Sequence, residues 1–148
     1  MARLEQIEDW VAPLLARLTA AERRKLARRI GIELRRSQAR RIAAQQNPDG
    51  SPYAPRNREA RGGIRRRAAM FHRLRTARFL KVKAQPAGVA LEFANRVERM
   101  ARIHQEGGMD APARGQRRVR YARRELLGFT TDDNALVKRL LLDHLTGM

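Results

Sequence analysis

The side chains in this sequence best suited to chemistry are three histidines, an aspartate pair and two serines, and their spacing argues against an active site. His72, His104 and His144 fall on three different predicted elements. None belongs to the H-E-x-x-H pattern that sets two imidazoles and a carboxylate around zinc. Asp132-Asp133 could attract a cation. Directly behind Thr130-Thr131, however, they stand where a helix start calls for a hydroxyl cap and for acids facing the positive end of the dipole. Ser37 and Ser51 are the only serines, and neither sits in the G-x-S-x-G turn of an exposed nucleophile. No GxxxxGK[ST] loop is present, and the pairs Gly62-Gly63 and Gly107-Gly108 are too isolated to cradle phosphate. Cysteine is absent, which removes thiolate metal sites and disulfides. The sequence therefore predicts no enzyme, with no catalytic residue, metal or cofactor.

Positive charge is what the sequence has in abundance. It carries 33 Lys+Arg against 15 Asp+Glu, a formal +18 over 148 residues. All the basic residues except Lys25, Lys81, Lys83 and Lys138 are arginine. Such a chain seeks an anion, either nucleic acid through its phosphates or an acidic protein surface, since the arginine fork grips phosphate and carboxylate alike. The patterns of nucleic-acid modules are missing. Aromatics make up 5% of the chain, too few for a stacking platform, and Phe79 and Phe93 read as core. A long helix followed by a Pro-rich loop is not a helix-turn-helix. The charged start Met1–Glu5 is not the apolar stretch of a secretion signal. No run of apolar residues is long enough to span a bilayer.

The elements that would position these groups follow from periodicity. Leu4, Ile7, Val11, Leu14, Leu15 and Leu18 make one helical stripe, with Pro13 kinking it or marking a start nearby. Thr19-Ala-Ala-Glu22 is a capping box. It predicts a long helix to about Gln46, with Leu26, Ile30, Leu34 and Ile42 facing inward. Residues 23–41 of that helix hold nine basic residues against Glu33 alone. Asn47-Pro48-Asp49-Gly50 is a turn. A basic, Pro-containing loop over 51–63, read as mobile, leads to a short helix over about 65–75. Residues 56–78 again carry nine arginines against one acid. Alternation at Leu80, Val82, Ala84 and at Val89, Leu91, Phe93 around Gln85-Pro86-Ala87-Gly88 predicts a hairpin. Asn95 is expected to cap a helix with Val97, Met100, Ala101 and His104 inward, closed by Gly107. Residues 109–116 read as loop and 117–121 as a third strand. A last helix follows Thr130, burying Leu136, Val137, Leu140, Leu141 and Leu145. The fold class is α+β: a helical N-terminal half with one long helix, a small antiparallel sheet built on a hairpin, a helix packed beside it and a C-terminal helix, all in one domain over 1–148.

Four stretches in order carry a family pattern. They are Arg41-Ile-Ala-Ala-Gln-Gln-Asn-Pro-Asp-Gly-Ser-Pro-Tyr-Ala-Pro55, then Met70-Phe-His-Arg-Leu74 before the hairpin, then Ile103-His-Gln-Glu-Gly107, and finally Tyr121-Ala-Arg-Arg-Glu-Leu-Leu-Gly-Phe129. Together they resemble the virion-morphogenesis, or tail-completion S, family of contractile-tailed P2-like and Mu-like bacteriophages. The pattern usually has proline where Ala122 stands, and the 109–116 loop is short.

The resemblance implies a structural protein acting late in virion assembly, at the head-proximal end of the tail or in the neck. It implies a homo-oligomeric ring, with a hexamer favoured, among other tail and neck proteins. The protein would be found in the virion, and in the host cytoplasm during assembly. The motif positions it brings forward are Asn47, Asp49, Gly50, His104, Gly107, Arg124 and Gly128. Asn47 to Gly50 would fix the exit from the long helix, His104 and Gln105 would lend polar groups to a packed corner, and Arg124 would pair with a carboxylate or a carbonyl before Gly128 permits a tight bend. Arg28, Arg35, Arg36, Arg40, Arg56, Arg58, Arg61 and Arg65 are the expected interface cations, docking acidic partner surfaces or meeting phage DNA. The alternative is a small basic nucleic-acid-binding protein.

Overall fold

The computed structural model describes residues 2–3, 12–56 and 69–147. A short strand β1 (Ala2–Arg3) and a single helical turn α1 (Ala12–Leu15) precede the long helix α2 (Ala20–Ala43). The hairpin β2 (Leu80–Gln85) and β3 (Gly88–Phe93) follows, then helix α3 (Asn95–Glu106). A two-stranded ribbon of β4 (Met109–Asp110) and β5 (Val119–Arg120) leads to the last helix, α4 (Thr131–Leu145). The α+β class and the order of the major elements are those the sequence predicts.

Local chemistry explains the helix starts. The Thr19 hydroxyl accepts from the Glu22 amide at 3.2 Å, and the Glu22 carboxylate accepts from the Thr19 amide at 3.1 Å. This reciprocal box satisfies two donors that a helix start otherwise leaves orphaned. Thr130 and Asp133 repeat it at α4, at 3.0 Å in each direction. Asp133 is thus a cap, as its place behind two threonines suggests. The expected cap at Asn95 is corrected. Ala94 holds the N-cap position without a side-chain bond, and Asn95 is the first helical residue. The Ala94 amide donates to the Phe79 carbonyl at 2.7 Å, so the sheet fixes where α3 begins.

The hairpin pairs Leu80 with Phe93 through to Gln85 with Gly88, which leaves Pro86-Ala87 as the loop. The strands twist over α2, which buries Leu26, Ile30 and Leu34 against Leu80 and Leu91, with Val137, Leu140 and Leu141 of α4 closing the same core. Leu15 and Leu18 pack on its margin, and Pro13 lies inside α1. The rest of the expected N-terminal stripe (Leu4, Ile7, Val11) lies outside the described residues. A second core joins Ile42 at the far end of α2 to Tyr53, Leu74, Ala101 and Leu126. Thus α2 is the shared wall of both cores.

Four further expectations change. Helix α2 stops at Ala43, because Gln45 takes a left-handed φ of 58°. Of the helix expected over about 65–75, residues 65–68 lie outside the described residues and 70–75 form turns, where Phe71 has a φ of 66° that a helix cannot contain. Val119 and Arg120 pair with Met109 and Asp110 in a separate ribbon, while the third strand of the main sheet is β1. Met100 is 47% exposed and does not belong to the inner face of α3. In the main sheet, β2 is an edge strand among the described residues. Its Lys81 and Lys83 face away from the core, and the Lys83 ammonium meets Glu92 at 2.8 Å.

Helix α2 approaches the sheet at Gly31. A Cβ there would lie 2.4 Å from Val82 Cγ1 and 2.7 Å from Val89 Cγ2. Both neighbours are β-branched and stiff at χ1, so neither can swing aside. Gly31→Ala should gain about 1 kcal/mol of helix propensity and lose more through overpacking. We expect a net loss of about 1–2 kcal/mol, read from the urea midpoint, with the overpacking term outweighing propensity.

Candidate functional site

The four motif stretches meet at the end of α2, around a segment with no regular structure. Residues 121–130 run between the ribbon and α4 without strand or helix, yet Arg124, Leu126 and Leu127 are buried. Buried backbone must find partners; the Arg124 amide donates to the His104 carbonyl at 2.7 Å, and side chains supply most of the rest.

Arg41 is the first provider. One guanidinium nitrogen donates to the Gln46 and Glu125 carbonyls, both at 2.9 Å. The other donates to the Leu126 carbonyl at 2.8 Å and to Gln38 Oε1 at 2.5 Å. Gln38 is fully buried. Its Oε1 also accepts from the Gly128 amide at 3.2 Å, and its amide nitrogen donates to Asp133 at 3.2 Å. The Ser37 hydroxyl donates to the same Asp133 carboxylate. One strip of α2 (Ser37, Gln38 and Arg41) therefore ties the segment to the cap of α4. Asn47 adds a bond from the Glu125 amide to its Oδ1 at 2.9 Å, while its own amide donates to the Ser51 side chain at 3.2 Å. From α3, Gln105 Oε1 accepts from the Leu126 and Leu127 amides at 2.9 Å each, and its Nε2 donates to the Leu127 carbonyl at 2.9 Å.

Arg124 reaches the other way. It donates to the carbonyls of Ala54 at 2.8 Å and Pro55 at 3.0 Å. Of its two expected kinds of partner, the structure shows the backbone carbonyls. Tyr53, buried beside it, donates to the Glu125 carbonyl at 3.0 Å. Residues 51–56 of the expected 51–63 loop are thus held against the 121–128 segment, and 57–63 lie outside the described residues. On the return, Gln45 grips Met70 through both backbone groups, at 2.8 and 2.9 Å.

His104 sits in an aromatic corner. Its ring lies 4.8 Å from Phe71 and 5.0 Å from Tyr121, edge to face in both cases. Phe71 in turn meets Tyr53 at 5.8 Å. These ring contacts hold Phe71 in a left-handed backbone that costs an aromatic residue about 1 kcal/mol or more. Nδ1 of His104 faces an Arg124 guanidinium nitrogen at 3.4 Å. A guanidinium can only donate, so this contact requires a neutral imidazole with its proton on Nε2. Burial, with the Arg124 charge adding to it, pushes His104 down to about 4. Burial, and then the nearby Arg56 charge, also lowers Arg124 from its ordinary value.

The glycines fit by closeness and by handedness. Gly107 ends α3 with a left-handed φ of 73°, and a Cβ there would press on Arg123 at 3.2 Å. Gly50 has a φ of 87° in the Asn47–Gly50 turn, and Asp49 accepts from the Ser51 amide at 2.8 Å. Gly128 is not left-handed, and it directly follows a bend at Leu126 and Leu127. Its lack of a Cβ admits Pro48, whose Cγ would stand 2.4 Å from one.

The motif positions therefore converge, whereas the interface arginines spread out. Arg28, Arg36 and Arg40 are exposed and Arg35 is half-buried along α2. Arg36 pairs with Glu33 at 2.8 Å. Arg56 is half-buried at the Arg124 corner. Arg58, Arg61 and Arg65 lie outside the described residues. Sequence reasoning counted Arg41 with the exposed charges and gave Gln38 no role. The available signal was position, because both share the helical face of Leu34 and Ile42.

Two measurements check this site. Arg41→Met should cost about 3 kcal/mol because it strands several buried carbonyls, whereas Arg40→Met, one residue away and exposed, should change stability by under about 0.5 kcal/mol in the same urea titration. His104 takes up its proton more readily unfolded than folded. Stability should therefore fall as pH drops from 6.5 toward about 4, and this contribution should level off below that. The His104→Gln variant should lose that part of the slope, read as the difference between the two stability–pH curves.

The sequence has relatives among known proteins. The phage virion morphogenesis family matches residues 2–146. Tail completion protein S of Escherichia phage P2 is 35% identical to this chain, over 98% of this chain and 99% of the relative. No solved structure gives a match. Since the family match runs from β1 to the end of α4, through every residue that braces the 121–130 segment, the chain belongs to the phage virion morphogenesis family.

Proposed function

We propose that this chain is a non-enzymatic structural subunit that completes the phage tail late in virion assembly, at its head-proximal end or in the neck. The observation that carries the reading is the end-to-end likeness to a protein named for tail completion, 35% identical across 98% of the chain. The site supports it in kind. Its chemistry, carbonyls gripped by arginine and glutamine, braces backbone, and its histidine is packed between rings. A subunit of this sort works by holding shape within a larger assembly.

In this reading the subunit forms a ring by head-to-tail contacts, as a heterologous interface does when its rotation closes, and a hexamer is the favoured size. Arg28, Arg35, Arg36 and Arg40 on α2, with Arg56, Arg58, Arg61 and Arg65 beyond it, dock acidic surfaces of neighbouring tail and neck proteins. Contact with DNA passing through the junction is secondary. The protein resides in the finished virion.

Deleting the gene from the phage and imaging the lysate tests this. Separate heads and tails, or unstable tails, are expected. Normal infectious particles would overturn it. Sub-micromolar binding of duplex DNA at physiological salt, with a steep salt dependence, would favour a nucleic-acid role instead.

A further inference from the structure

A groove of about 690 Å³ opens between the outer face of α2 and the C-terminal end of α4. Lys25, Arg28 and Arg29 line it, with Ile32, Glu33 and His144. The three cations are exposed, and no ion pair engages them among the described residues. Glu33 does not offset them, because Arg36 already neutralises it at 2.8 Å. Ile32 is half-buried within the cationic rim. The groove therefore offers two things at once: unpaired positive charge and an apolar patch.

We infer that this groove is the docking site for an acidic segment of a different virion protein, one that carries an aliphatic or aromatic side chain between its carboxylates. The inference rests on the tail-completion reading and names the partner chemistry for one part of its basic surface. Three observations select this occupant. The volume is that of a site for a cluster of side chains, well beyond a single ion. The apolar patch at Ile32 gives a phosphate backbone nothing to pair with, whereas an apolar anchor with acids on either side fits both features. A second copy of this chain is a poorer donor, since it brings its own +18 and seven of its fifteen carboxylates are already engaged within the chain. Glu33, Glu92, Glu98, Asp110 and Glu125 are in ion pairs, and Glu22 and Asp133 close capping boxes.

Complementation tests it. A phage deleted for this gene is supplied in trans with the wild-type protein, with Arg28→Glu/Arg29→Glu, with Ile32→Ala, or with Arg114→Glu/Arg117→Glu, which makes the same charge change at exposed residues outside the groove. Circular dichroism melts confirm that each variant folds. The Arg28/Arg29 variant should lower infectious titre by about a hundredfold, in line with the cost of reversing docked charges. Ile32→Ala should lower it several-fold, and the Arg114/Arg117 variant should complement fully. Suppressors of the Arg28/Arg29 variant should replace Asp or Glu by a neutral or basic residue in another virion gene. Full complementation by the Arg28/Arg29 variant would overturn the proposal while leaving the tail-completion reading intact. A deletion phage with normal titre would remove that reading itself, and the proposal with it. Suppressors confined to this gene would point to copy-to-copy docking, and duplex DNA binding lost only in the Arg28/Arg29 variant would point to nucleic acid. Either result would overturn the proposal.

Discussion

A stretch of unladdered backbone that carries three buried residues, Arg124, Leu126 and Leu127, sets the terms for this fold. The segment from 121 to 130 crosses the end of α2 and is covered by α3, yet it belongs to no sheet. Its carbonyls and amides cannot be left bare in a dry interior, where each would cost a few kcal/mol. The solution is to point long polar side chains inward from regular elements: Gln38 and Arg41 from α2, Gln105 from α3, and Asn47 from the turn between. A fork with several donors suits this better than any ladder, because it can reach carbonyls that do not lie in a row. Both cores depend on the result. Leu127 joins the larger one and Leu126 the smaller, so the same polar braces hold apolar residues into each.

The arginines consequently divide into two populations that composition cannot separate. Arg41 and Arg124 are structural, each donating to two or more main-chain oxygens. Arg28, Arg36 and Arg40 stand in solvent on the opposite side of the same helix. The count of positive charge overstates the available surface, and the interior shows why arginine suits the inner role. Its charge is delocalised and weakly hydrated, so burying it costs less than burying an ammonium.

Much of the frame was legible from residues alone. The two threonine caps, the inward stripe of Leu26, Ile30, Leu34 and Ile42, and the hairpin alternation all depend on chemistry within a few positions of the chain. What escaped depends on distant partners. Ala94 starts α3 because Phe79 holds its amide. Gly128 is small because Pro48 lies over it, 80 positions earlier in the sequence. Phe71 is left-handed where the Tyr53 and His104 rings pack against it, which defeats a helical reading based on Met70, Phe71 and Leu74. Gln38 looked like one more polar residue in a charged helix until the carboxylate and the amide it bridges were brought to it. Resemblance to a family brought forward Gly128 and the stretch that holds Phe71, but neither Ala94 nor Gln38.

The edge strand β2 has a consequence for the life of the free subunit. An open strand edge is a template on which another chain can extend the sheet. In a protein that otherwise chooses arginine, two of its few lysines stand on this strand, at Lys81 and Lys83. The ammonium group is compact and holds its water tightly, so stacking a second strand there would strip hydration that nothing repays. Among the described residues, the edge is thereby a poor template for pairing with a second chain. The sheet can stay open on that side through the chemistry of two side chains, with no further element needed to cover it.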